Sequence, residues 1–237
     1  YRILKVDIIP RFSMNTSFAD IEKKENRKDL IISICVFLSG FSCFAQLYYF
    51  QPLLPDLAKD FILSASESSF AISFSTLGMV FGLFTTMFVA DRIPRKKMIG
   101  TGLLSSSIFS VAASFSPTFL PLILLSAAKG FLLSGATSVS MAYIAEEVSS
   151  RNKGKIMGLY IAGNALGGMA GRVISSWIGA LYTWRIASVS IGLICALCAI
   201  LFLLFSPRST NFMPRKESFH TLIIANLQLI TSKALIP

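Results

Sequence analysis

Two cations stand inside apolar runs of this 237-residue sequence: Lys129 within Phe119–Ala145 and Arg172 within Ile156–Trp184. A cation at membrane depth is costly and normally faces a cavity or the protein interior, so both are candidates for lining a substrate or ion pathway. Lys129 shares its helix face with Ser126, Gly130, Thr137 and Ser140, a small and polar stripe that reads as a pathway wall. Asn164 lies on a face with Tyr160, Gly167, Gly171 and Ser175, with Arg172 at its edge. An Arg172 that instead reaches outward along its stem is the alternative. Gln46 is a further cavity candidate, with Gln51 nearer the mouth. No Asp or Glu occurs in these runs, so compensating charge has to come from other sequence, lipid headgroups, water or an anionic substrate. Catalysis finds little support: there is no HExxH or GxxxxGK[ST], and the single histidine is His220 near the C-terminal end. Cys195 and Cys198 form a CxxC without further zinc ligands, and all four cysteines read as packing thiols. No metal or cofactor is expected.

The elements that must position these groups are membrane spans. Hydrophobic residues make up 54% of the chain and charged residues 14%, with 20 phenylalanines. A soluble domain of that composition could not cover its surface with polar groups. A crossing helix needs about 20 mostly apolar residues. Six runs qualify: 30–50, 70–90, 98–115, 119–145, 156–184 and 186–206. They predict an all-α bundle of six transmembrane helices between an N-terminal tail, 1–29, and a polar segment, 207–237. Within that segment Phe219, Leu222, Ile223, Leu227 and Ile230 recur at helical spacing, which suits a membrane-surface helix or a short soluble one. Ser64 and Glu67 form a capping-box pattern ahead of the second run.

The net charge of +10 invites a nucleic-acid reading, but the basic residues sit in short connections between apolar runs and not on a polar domain. They collect in the tail, around Arg92–Lys97, around Arg151–Lys155 and after Ser206, while the opposite side holds only Lys59 and Arg185. The positive-inside rule then places both termini in the cytoplasm of a multi-pass protein of the cell membrane. Met14 reads as the native start, which would make residues 1–13 non-native, and both ends read as those of a fragment.

The connection Asp91-Arg92-Ile93-Pro94-Arg95-Lys96-Lys97 resembles the signature loop of the major facilitator superfamily, G-x-x-x-D-R-x-G-R-[KR], between its second and third helices. Asp91, Arg92, Arg95 and Lys96 match in type, spacing and place, whereas Met87 and Pro94 stand at glycine positions. The resemblance implies that this loop latches two halves of a transporter: Asp91 pairs with a helix end and basic groups, and Arg92 and Arg95 hold a cytoplasmic gate. Gly163, Gly167 and Gly171 recur every four residues, which allows close helix approach. The same run resembles the superfamily's antiporter motif, with Gly168 at its proline and Arg172 at its last glycine. Tyr49–Pro55 and Met141–Val148 are similar to a bacterial efflux-type subgroup. Glu146 and Glu147 pair with the loop arginines or form a solvated helix end.

Together these similarities imply the N-terminal six-helix half of a twelve-helix transporter working by alternating access, with proton-coupled efflux as the expected mode. The expected partners are the bilayer, a small-molecule substrate, the proton and a missing C-terminal half, with either that half supplying a carboxylate or the substrate carrying negative charge. A gradient-driven channel or a non-transporting membrane protein is the alternative.

Overall fold

A computed structural model describes residues 11–210 and 212, without the side chains of 11–19 and 21. The helix expected within 218–235 lies outside the described residues. Six long helices carry the architecture: α1 (Arg11–Tyr48), α2 (Phe70–Val89), α3 (Arg95–Ser114), α4 (Phe119–Glu147), α5 (Lys153–Leu181) and α6 (Trp184–Phe205). Local chemistry sets their ends. Ser64 and Glu67 do form the reciprocal capping box ahead of α2. Pro94, which has no N–H to leave unpaired, precedes α3, and the Thr183 hydroxyl accepts from the Ile186 amide at the start of α6. α1 passes through Leu30 unbroken, so the polar stretch before it and the apolar run after it are one helix.

By length and composition, four stretches could cross a membrane: those containing α1, α2, α4 and α6. The two remaining helices are long enough, at 20 and 29 residues, but more polar. α3 opens on three cations and carries a row of serines, while α5 is glycine-rich and contains Asn164 and Arg172.

Packing runs as a chain of neighbours, α2–α4–α3–α6–α1–α5, with α2 and α5 at its two ends. The tightest unions are glycine-lined. Gly163, Gly167 and Gly171 of α5 step along Phe37, Phe41 and Ala45 of α1, and Gly40 of α1 faces Asn164 in return. The other union repeats the device: Gly78 and Gly82 of α2 meet Ala127 and Ser134 of α4, and Gly130 of α4 meets Ser75. A Cβ at Gly163 would stand 2.6 Å from the Phe37 carbonyl oxygen, and one at Gly171 2.7 Å from the Ala45 Cα. Only a residue without a side chain permits that approach.

Along α1 and α5 the paired positions rise together, and from Gly78 to Gly82 the contacts on α4 move from Ala127 to Ser134, so α1 runs parallel to α5 and α2 to α4. α1 and α4 are antiparallel, since Cys43 meets Leu133 while Tyr49 meets Lys129. Exchanging α1, α2, α3 with α4, α5, α6 therefore preserves the neighbour order and reverses helix direction. That is the pattern of two inverted three-helix repeats.

The apolar core has two parts. One lies toward the basic end, around Ile32, Ile99, Leu133, Tyr143, Ile156 and Phe202. The other lies toward the opposite end, around Tyr49, Leu53, Leu57, Leu122, Trp184 and Ile191.

Replacing Gly167 by valine places a Cβ against the Phe41 backbone, where no rotamer change can relieve it. The expected loss is about 1–3 kcal/mol, read as a lower thermal midpoint of the purified chain. Gly158→Ala, at an exposed helical position open beyond 4 Å, should raise the midpoint slightly, reflecting the about 0.5–1 kcal/mol that alanine gains over glycine in a helix.

Candidate functional site

The structure gathers the loop residues at the basic end into a charge clasp. Ala90–Arg92 is a single tight turn after α2, and the chain re-enters helix at Arg95. From there the Arg95 guanidinium reaches three acceptors at once. It donates to Asp91 at 2.9 Å, to Glu146 at the end of α4 at 3.1 Å, and to the Ala90 carbonyl at 2.6 Å. The Phe212 ring lies 5.0 Å from its central carbon. Burial works against the Arg95 charge, but the hydrogen bonds and charges of Glu146 and Asp91 outweigh it and lift its pKa above the ordinary arginine value. Arg92 is exposed on the outer side of the turn. Lys96 points the other way: its ammonium donates to the Ser206 carbonyl and its amide to the Ser209 hydroxyl, tying α3 to the end of α6. The two glutamates therefore divide their work. Glu146 takes Arg95, whereas Glu147 accepts from Lys28 of α1 at 2.9 Å and from Thr210 at 2.8 Å.

One buried brace at this end was not anticipated. Asp29 of α1 accepts from the Ser149 hydroxyl, from the Ser149 amide at 3.4 Å and from Asn152 at 2.8 Å, holding the α4–α5 connection. Asp29 is only 4% exposed. A lone acid at the boundary between polar tail and apolar run was the available signal, masked by the charged tail around it.

Two expected cavity residues, Lys129 and Gln46, are buried within the packed bundle, and Asn164 is partly buried between α1 and α5. Lys129 is 1% exposed, and its amine has no hydrogen-bond partner among the described residues. It lies over the faces of Tyr49, at 4.5 Å, and Phe50, at 4.9 Å. The stripe beside it is consumed by packing, with Ser126 and Ser140 fully buried and Gly130 against α2. Gln46 is held by its neighbours: its amide donates to Ser42 at 3.3 Å and its carbonyl accepts from Ser110 at 3.2 Å. Asn164 faces Gly40 across the α1–α5 union, and its side-chain oxygen has no hydrogen-bond partner among the described residues. The physical reason is shared. The faces that carry small and polar residues are the faces that let helices approach, so they become contacts between helices.

Arg172 is exposed and reaches along the bundle surface to the Gln51 side-chain oxygen, with its guanidinium 4.5 Å above the Tyr48 ring. Neither Lys129 nor Arg172 has a carboxylate partner among the described residues. Both rest on aromatic faces supplied by three consecutive residues, Tyr48, Tyr49 and Phe50. A desolvated cation–π contact contributes about 2 kcal/mol.

At the opposite end a second clasp corresponds to the first under the repeat exchange. Arg185 at the start of α6 bridges Asp60, 3.0 Å away, and the Ser114 and Ser116 carbonyls at the end of α3. The Trp184 indole N–H donates to the same Asp60 at 2.9 Å.

Tyr49→Leu should therefore destabilise the chain by about 1–2 kcal/mol beyond lost packing. A Lys129→Met background should abolish that excess, as a double-mutant cycle in thermal unfolding would reveal. Arg95→Ala should cost about 1–3 kcal/mol by removing the hydrogen bonds to Asp91, Glu146 and the Ala90 carbonyl, while raising hydrogen exchange at residues 90–96 and 144–148.

Comparison with known proteins bears on what this arrangement belongs to. Residues 33–236 match the family described as the Major Facilitator Superfamily. A Buchnera aphidicola (subsp. Schizaphis graminum) protein described as an uncharacterized transporter is 38% identical over 84% of this chain and 48% of its own length. The inner membrane transport protein YnfM of Escherichia coli K12 is 36% identical over 81% of this chain and 46% of its own. A niacin transporter, NiaP of Acinetobacter baylyi, is 27% identical over 60% of this chain and 32% of its own. The chain spans about half the length of the first two. It is an integral membrane protein, and it belongs to the major facilitator superfamily, whose members carry solutes and are not enzymes.

Proposed function

We propose that this chain is the N-terminal six-helix half of a secondary transporter that moves a small molecule across the bacterial inner membrane by alternating access. In this reading all six helices cross the bilayer and both ends of the chain lie in the cytoplasm. The asymmetry of basic residues supports that orientation: Lys28, Arg95, Lys96 and Arg151 gather at one end of the bundle. α3 and α5 cross despite their polarity because neighbouring helices take up their serines and glycines.

The Arg95 clasp is the observation that carries the reading. It joins α2, α3 and α4 through a few charge-assisted hydrogen bonds at one end of an inverted-repeat bundle, where Asp91 remains 42% exposed. A contact of this kind can hold one end closed and be exchanged when a second bundle rocks against the first. Asp91, Arg92, Arg95 and Lys96 act as the conformational gate. Lys129, Arg172, Asn164 and Gln46 form the polar layer through which coupling to substrate and proton passes, and Gly163, Gly167 and Gly171 provide its packing hinge. With two cations lacking carboxylates among the described residues, the substrate is an organic anion, and proton-coupled efflux is the mode. Niacin, the substrate in one relative's name, is such an anion.

Two measurements test this. Single cysteines introduced at Gly154 and at Ile62, in a background with the four buried native cysteines replaced, should label from opposite sides of the membrane. Labelling from one side would refute the topology. In cells, efflux of organic anions, niacin among them, should fall by about tenfold or more in Arg95→Ala and Asp91→Asn variants and collapse with the proton gradient. Flux indifferent to both would refute the gate and the coupling.

A further inference from the structure

We propose that the groove between α3 and α6 at the basic end binds the headgroup of an anionic phospholipid. The groove encloses about 450 Å³ and is lined by Pro94, Lys96, Lys97, Leu203, Arg208 and Ser209. Among the described residues, half of its lining is cationic and none of it is acidic.

Three other cations at this end have carboxylate partners. Arg95 has Asp91 and Glu146, Lys28 has Glu147, and Arg151 has Glu22. Lys96, Lys97 and Arg208 have no carboxylate within ion-pair distance among the described residues. Burial draws the Lys96 ammonium below the usual lysine range, and the positive charge of Arg208 works in the same direction. The backbone adds to this field. α3 opens on Arg95, Lys96 and Lys97 with no acid in its first turn, so cations crowd the positive end of its dipole. An anion in the groove relieves both sources of repulsion.

A preference for basic residues on the cytoplasmic side explains the composition of this end. It does not explain why two helices shape unmatched cations into one concavity. The surroundings of the groove select a lipid over a soluble phosphate. Leu203 fills the space at Gly100 to form its floor. Leading away from it, α6 exposes Ile200 one turn before Leu203 and α3 exposes Ile108 three turns after Lys97. A phosphodiester held by the three cations would lay its acyl chains along that apolar strip. Basic pockets between helices near the cytoplasmic surface are suited to such headgroups. The proposal requires only that the chain resides in a membrane, not that it transports.

Native mass spectrometry of the purified chain, equilibrated with equal amounts of phosphatidylglycerol and phosphatidylcholine, tests it. Phosphatidylglycerol should be retained preferentially, and its retention should weaken with added salt. Lys97→Gln combined with Arg208→Gln should reduce that retention by about 10- to 30-fold. Both side chains are exposed, and unchanged thermal unfolding would verify that the variant folds. Lys153→Gln with Lys155→Gln, at the neighbouring connection, should leave retention unchanged. Equal retention of the two lipids, or indifference to the Lys97 and Arg208 changes, would overturn the proposal. Displacement of the lipid by millimolar glycerol phosphate would also overturn it, by marking the groove as a site for soluble phosphates.

Discussion

The close approach of backbones along two glycine ladders is the constraint on which the rest of this structure depends. Between apolar helices in lipid there is no hydrophobic gain from association, because the tails are as apolar as leucine. What remains is shape. Gly163, Gly167 and Gly171 bring α5 onto α1, and Gly78, Gly82 and Gly130 bring α2 and α4 together. These two unions put the remaining helices, α3 and α6, in the middle of the neighbour order, and the inverted-repeat relation follows from the unions being equivalent.

Close packing explains where the polar groups go. Once serines and glycines have become contact surfaces, the polar side chains among them are enclosed. They must find partners within the bundle, as Gln46 does in Ser42 and Ser110. Lys129 has nothing comparable and rests on Tyr49 and Phe50. An aromatic face attracts a cation without adding a second charge that would itself need solvation, which suits a site from which water is excluded. Full charge pairs are kept for the two ends, at Arg95 and Arg185, where partial exposure lowers the cost of ionisation.

The helices were legible because each is long, apolar and bounded by recognisable chemistry: the Ser64–Glu67 box, Pro94, and the short connections at Ser116-Pro117 and Thr183. That Asp91 would pair with basic groups was legible only through the resemblance of its loop, and the structure names Arg95, four residues on, as the partner. Glu146 was visible as a candidate partner for the loop arginines, though its spacing could not separate it from Glu147. The orientation of Lys129 was read from its stripe, and the structure places that stripe in contacts between helices. In a bundle of this kind the same residues equally mark a tight contact.

The sequence by itself determined that the chain belongs in a membrane, because no fold could hide so many apolar side chains from water, and it determined where the helices lie. It also determined that Lys129 and Arg172 would lack carboxylates within their own runs. Tertiary structure alone decided which faces meet. Helical periodicity records which residues share a side but not what that side opposes. It decided that Tyr48, the last residue of α1, serves one cation while Tyr49 and Phe50, in the turn that follows, serve the other. It likewise decided that Asp29 braces a connection some 120 residues away. Such pairings depend on the distance between helices, which is set by the glycine ladders and by no local property of the residues that meet.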